Sequence, residues 1–99
     1  MTYAEATKIS KAIKLEINKE VVFSTSHITE ATNQILEDNT TLLVVQSTEY
    51  NHRVFITDYS LSGLAELDIL IKIASDNGCT SLLLDCDGPV YKELDVYDW

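Results

Sequence analysis

Asp85, Cys86, Asp87 and Gly88 follow three consecutive leucines, Leu82 to Leu84. Two carboxylates spaced two residues apart at the end of an apolar strand can converge on one ligand. A weakly held divalent cation bound through oxygen would suit them. The same letters also spell a tight turn. An Asp side chain bonds backbone amides two residues on, and glycine accepts the geometry that follows. The turn is the expectation here. A second constellation is Ser24-Thr25-Ser26-His27-Ile28-Thr29-Glu30. It holds the ingredients of a Ser-His-acid nucleophile system. Such a system needs spatial geometry rather than adjacency, and no strained nucleophile elbow is present. The run reads instead as a helix start, with Ser26, His27 or Thr29 at the N-cap and Glu30 behind it. There the positive helix end favours a neutral His27 ring. His52 falls in an expected turn and is expected to be solvated. Two histidines, Cys79 and Cys86 show no zinc spacing, and no glycine-rich phosphate loop occurs. No catalytic residue, metal or cofactor is assigned.

The elements that must position these groups follow from periodicity. Ile9, Ala12, Ile13 and Ile17 share one helical face, which predicts a helix over residues 3–17. Lys14 to Glu20 also alternates through Leu15 and Ile17, so an early strand competes for it. Val21-Val22-Phe23 predicts a strand. Ile28, Ala31, Ile35 and Leu36 form the stripe of a helix that Asn39 ends. Leu42–Ser47 and Arg53–Asp58 are strands joined by the turn Glu49–His52, hence antiparallel neighbours. Tyr59–Asn77 is a helix capped by Ser60 or Ser62, largely buried and stopped at Asn77-Gly78. Ser81–Asp85 is a strand buried on both faces. The result is one α+β domain: an N-terminal helix (1–19), a ferredoxin-like βαββαβ core (20–89) and an acidic, aromatic tail (90–99). In that topology both helices cover one sheet face, and the first and third strands are central.

Charge limits the partners. Residues 1–20 hold four lysines against three glutamates, a net of +1, whereas residues 21–99 hold three bases against thirteen acids, a net of −10. Phosphates repel such a body, which argues against nucleic acid and anionic membranes and favours basic protein surfaces. Apolar residues make up 45% and glycine and proline only four, which is globular composition. The longest apolar run is Leu42–Val45, far short of a membrane span. No signal-peptide pattern is visible, and two cysteines make no disulfide framework, so a cytoplasmic setting is expected. The contact residues expected on charge and aromatic content are Asp85, Asp87, Glu93, Asp95, Tyr97, Asp98 and Trp99. Glu49 and Asp58, near the hairpin, join them. Arginine from a partner could stack on Tyr97 or Trp99 and pair with Asp95 or Asp98.

Three resemblances add to this. Leu82-Leu83-Leu84-Asp85-Cys86-Asp87-Gly88 looks like the first motif of haloacid-dehalogenase-type phosphatases. That likeness would make Asp85 a nucleophile and Asp87 an acid/base around Mg²⁺. Pro89 stands where those enzymes carry Thr, and only ten residues follow Pro89, too few for the rest of that fold. The stretch Ser24–Glu30, taken with Asp85-Cys86-Asp87-Gly88 through Tyr97-Asp98-Trp99, resembles a group of small uncharacterised bacterial proteins of plasmids, prophages and defence islands. The likeness covers roughly residues 20–99. In size and charge the chain is also similar to anti-CRISPR and anti-restriction proteins. The family resemblance implies a mobile-element accessory protein; taken with size and charge, the expectation is a non-catalytic inhibitor that occupies the basic nucleic-acid channel of a nuclease or surveillance complex. An antitoxin that binds a basic toxin is the alternative, and a homodimer joined through a sheet edge is a further possibility.

Overall fold

Leu82 and Leu84, of the strand that begins at Ser81, are fully buried, and that strand sits inside the sheet. The computed structural model describes residues 1–57 and 63–99. Four strands, β1 (Glu20–Ser24), β2 (Val44–Ser47), β3 (Asn51–Phe55) and β4 (Ser81–Asp85), form one sheet in the order β1-β4-β3-β2. β1 runs parallel to β4, and the other two pairings are antiparallel. The helices are α1 (Tyr3–Ala12), α2 (Glu30–Glu37) and α3 (Ala65–Asp76), with a 3₁₀ turn at Thr25–His27. The fold is α+β, but its strand order is not the ferredoxin-like one. The central strands are β4 and β3, and the β1-α2-β2 connection spans the sheet from edge to edge. β1 and β2 carry exposed polar residues suited to edges (Glu20 and Gln46), whereas the leucines of β4 need cover.

Two cross-strand rows face the helices. Val21, Leu82, Val54 and Val45 form one, and Phe23, Leu84, His52 and Ser47 the other. Leu36 of α2 joins Leu67, Leu70, Ile71 and Ala74 of α3 over these rows, with Ile28 fully enclosed. Each fully buried leucine contributes about 1.5–3 kcal/mol. The stripe of α2 differs from expectation. Ala31 is exposed and Thr32 is buried, because its hydroxyl has a partner on α3. On α3, Ile69 is exposed, so that helix buries a narrower face than its composition suggests. On β4, Leu83 is only half-buried, on the sheet face opposite Leu82 and Leu84, so the strand is not enclosed on both faces as expected.

The ends of the elements obey local chemistry. Asn39 follows α2 with φ 53 and Gly78 follows α3 with φ 76, both left-handed stops. The hairpin turn is three residues, Thr48–Tyr50, one fewer than expected. The expected caps Ser60 and Ser62, and Asp58, lie outside the described residues. α1 is shorter than the predicted 3–17. It has a complete Thr2/Glu5 capping box, yet it stops at Ala12, where Ile13 turns extended at φ −96, ψ 146. None of its residues is buried.

Candidate binding surface at the carboxyl end of the sheet

Ser24 pairs with Asp85, and Asp85 pairs with Asn51. The carboxyl ends of the parallel strands β1 and β4 therefore meet the β2–β3 turn. The Cys86 amide donates to the Tyr50 carbonyl at 3.1 Å and fastens the two. Over this junction lies a cleft of about 230 Å³ walled by Thr25, Glu37, Glu49, Tyr50, Cys86 and Trp99, with His52 and Asn33 at its base. Asp85 and Asp87 flank Cys86, and the ligand atoms of the three lie within 4.8 Å of one another. Asp85 accepts the Asp87 amide at 3.0 Å through its side chain and the Gly88 amide at 2.9 Å through its carbonyl. That is the Asp-Gly turn expected from sequence. Gly88 is required there, because a Cβ would sit 2.8 Å from the Phe23 carbonyl oxygen.

Beneath the cleft, His52 is buried rather than solvated. Val54 faces the core, and strand parity forces His52, two residues earlier, to the same side. Its Nδ1 lies 2.6 Å from Ser47 Oγ and its Nε2 2.7 Å from Asn33 Oδ1, while Asn33 donates to Glu37 at 3.2 Å. Burial holds the His52 pKa below its ordinary value, against the opposing charge of Glu37. The chain Ser47-His52-Asn33-Glu37 pins the hairpin to α2. It supports the acidic turn from below, and the sequence reading did not find it.

His27 is also buried, and it is not a helix cap: Thr29 caps α2. The ring Nε2 accepts the Tyr91 amide at 3.0 Å, so Nδ1 carries the proton and donates to the Asp95 carbonyl at 2.8 Å. The neutral tautomer is thereby fixed. The ring also stacks on Tyr91. Along the same path the Tyr97 amide donates to the Ser26 carbonyl at 2.8 Å, and Trp99 Nε1 donates to the Ile28 carbonyl at 2.9 Å. The hydroxyl- and histidine-rich run after β1 is thus a cradle for the C-terminal tail. Glu66 of α3 completes it by accepting from the Thr29 amide at 3.3 Å, the Thr29 hydroxyl at 2.9 Å and the Thr32 hydroxyl. Burial pushes the Glu66 carboxyl up, but these hydrogen bonds outweigh it and hold the pKa below the usual carboxylate value.

The structure brings some of the expected contact residues together and separates others. Glu49 and Trp99 line the cleft, and Asp85 and Asp87 stand beside it. Asp95 and Tyr97 instead border a cavity of about 30 Å³ with His27 and Glu66. Glu93 edges an apolar groove next to Val21 and Ile73. Asp98 is exposed between Tyr97 and Trp99, and Asp58 lies outside the described residues. Glu37, Tyr50 and Cys86 belong to the cleft and were missed: nothing local ties Glu37 of α2 to the turn, and Tyr50 and Cys86 adjoin the expected Glu49, Asp85 and Asp87. Among the described residues the ion pairs are Arg53–Glu20 and Lys72–Asp76, both at 2.6 Å, and neither uses a cleft carboxylate.

A model of a family described as "Family of unknown function (DUF5983) C-terminal domain" matches residues 20–99. The match leaves out α1 and the segment after it. No curated protein and no solved structure matches the chain.

Proposed function

The chain belongs to this family of unknown function, DUF5983, through its C-terminal domain, and from that premise we propose that it is a non-catalytic, acidic binding module of the cytoplasm. It is carried by a phage or plasmid and acts as a counter-defence inhibitor of the anti-CRISPR or anti-restriction kind. Its partner is a basic protein surface that otherwise holds nucleic acid.

One observation carries this reading: Glu37, Glu49, Asp85 and Asp87 gather at one end of the sheet, beside Tyr50 and Trp99. The ion pairs of the described residues engage Glu20 and Asp76 elsewhere. Duplex DNA presents one charge per ~1.7 Å of axis, and a nuclease channel is lined to receive such charge. Carboxylates on α2 and on the two turns offer the same kind of potential without a scissile bond. Trp99 adds a flat ring, held by its hydrogen bond to Ile28 and half exposed, on which an arginine can stack.

The experiment is capture followed by competition. Wild-type protein and the Glu49→Lys/Asp85→Lys/Asp87→Lys variant serve as bait in lysates of cells that carry CRISPR and restriction systems. Recovery of a nuclease complex by the wild type alone, released by added duplex DNA, supports the reading. Recovery of one small basic toxin supports the antitoxin alternative. Magnesium-dependent phosphatase turnover that Asp85→Asn abolishes would replace both with the enzymatic one.

A further inference from the structure

We propose that the chain forms a two-fold dimer through residues 13–17, paired antiparallel with the same residues of a second copy. Ile13-Lys14-Leu15-Glu16-Ile17 alternates apolar and polar at the period of a strand. The backbone turns extended at Ile13 and is neither helix nor ladder from there to Lys19. The Thr80 amide donates to the Lys19 carbonyl at 2.9 Å, so the segment leaves the body as a direct continuation of β1. Among the described residues its strand pattern goes unused. Ile13, Leu15 and Ile17 stand 51%, 56% and 78% exposed. An apolar segment with the period of a strand, unpaired among the described residues, is a template for another strand.

The second copy is singled out as occupant because the segment is complementary to itself. With Leu15 opposite Leu15, Ile13 faces Ile17 twice on one side of the ribbon, and Lys14 faces Glu16 twice on the other. A slip of one residue sets apolar against polar. A slip of two sets Glu16 against Glu16 or Lys14 against Lys14. Only one register satisfies both faces, and it is isologous, as a two-fold dimer requires. The charge of the whole chain agrees. Two bodies of net −10 repel, and residues 1–20, at +1, are where two copies can approach. This inference is independent of the acidic end, and either can fail alone.

The test is sedimentation velocity on the full chain across micromolar to millimolar concentration. The wild type dimerises. Lys14→Glu and Glu16→Lys each face like charges twice and weaken the dimer by on the order of tenfold or more. The double exchange Lys14→Glu/Glu16→Lys restores it. The altered side chains are exposed, so thermal melts stay unchanged and serve as the folding control. In a Cys79→Ser/Cys86→Ser background, Leu15→Cys cross-links to itself on oxidation, because residues directly opposite in an antiparallel pair meet disulfide geometry. Ile17→Cys, which faces Ile13, does not. A monomeric wild type, a Lys14→Glu variant that dimerises like the wild type, a double exchange that stays monomeric, or equal cross-linking at both positions would each overturn the proposal.

Discussion

His27 accepts the Tyr91 amide and donates to the Asp95 carbonyl, so its removal releases both ends of one bend in the tail. His27→Ala is predicted to cost about 2–4 kcal/mol, from two lost hydrogen bonds and a cavity. In hydrogen exchange, the amides of Tyr91 and Tyr97 should lose protection before those of β4; uniform loss would place His27 in the global core instead. The second histidine governs pH dependence. The folded-state pKa of His52 lies below 6.5, so the unfolded chain takes the proton first. Its contribution is complete above 6.5 and declines as pH falls below that value. Glu66 and Glu20 lie below 4.5, the first through its threonine hydrogen bonds outweighing burial, the second chiefly through Arg53. Their contributions are present above 4.5 and lost as pH drops through the folded values. Melts against pH should show a shallow decline from 6.5 and a steeper one below 4.5, and His52→Gln should flatten the first alone. The burial of His52 was legible from its parity with Val54, had the strand been started at Asn51. The partners of His27 lie more than sixty residues away, and no local pattern reveals them.

Elements were legible where apolar period and stop residues coincide. Asn39 and Gly78 end their helices, and Leu82–Leu84 is a strand, because those signals are local. The order of strands was not, since the sequence offers β1 and β4 as equally apolar and only pairing decides which is covered. The β4–tail turn carries the sharpest test at this scale. Gly88→Ala would place a Cβ 2.8 Å from a backbone oxygen of Phe23 and 3.0 Å from that of Asp85. Backbone cannot step aside as a flexible side chain can, so a loss of about 1–3 kcal/mol in denaturant melts is expected. An unchanged midpoint would mean that the turn and β1 are looser than described. α1 supplies the opposite case. It buries nothing, and a lone helix of its length is marginal in water. Deleting residues 1–12 should leave the melting temperature of the body within about 2–4 °C, the spread of surface changes. A large drop would show that α1 packs on the domain.

Across the whole molecule only part of the charge asymmetry read from sequence gathers in one place: four of the thirteen acids after residue 20. The cleft end carries Glu37, Glu49, Asp85 and Asp87, while Arg53 and Lys72 are engaged with Glu20 and Asp76. The tail carboxylates scatter more than expected, because the cradle around His27 takes the tail's backbone and spreads Glu93, Asp95 and Asp98 over different surfaces. Exposed charges are screened over about 8 Å at physiological salt, so contact through this end must weaken as salt rises. The direct measurement is displacement of a fluorescent DNA duplex from the captured nuclease, followed by anisotropy across a salt series. Wild-type protein should release the duplex, less effectively as salt increases. The Glu49→Lys/Asp85→Lys/Asp87→Lys variant should fail to release it while melting at the wild-type temperature. Equal release by a folded variant would contradict the claim that this acidic end stands in for nucleic acid.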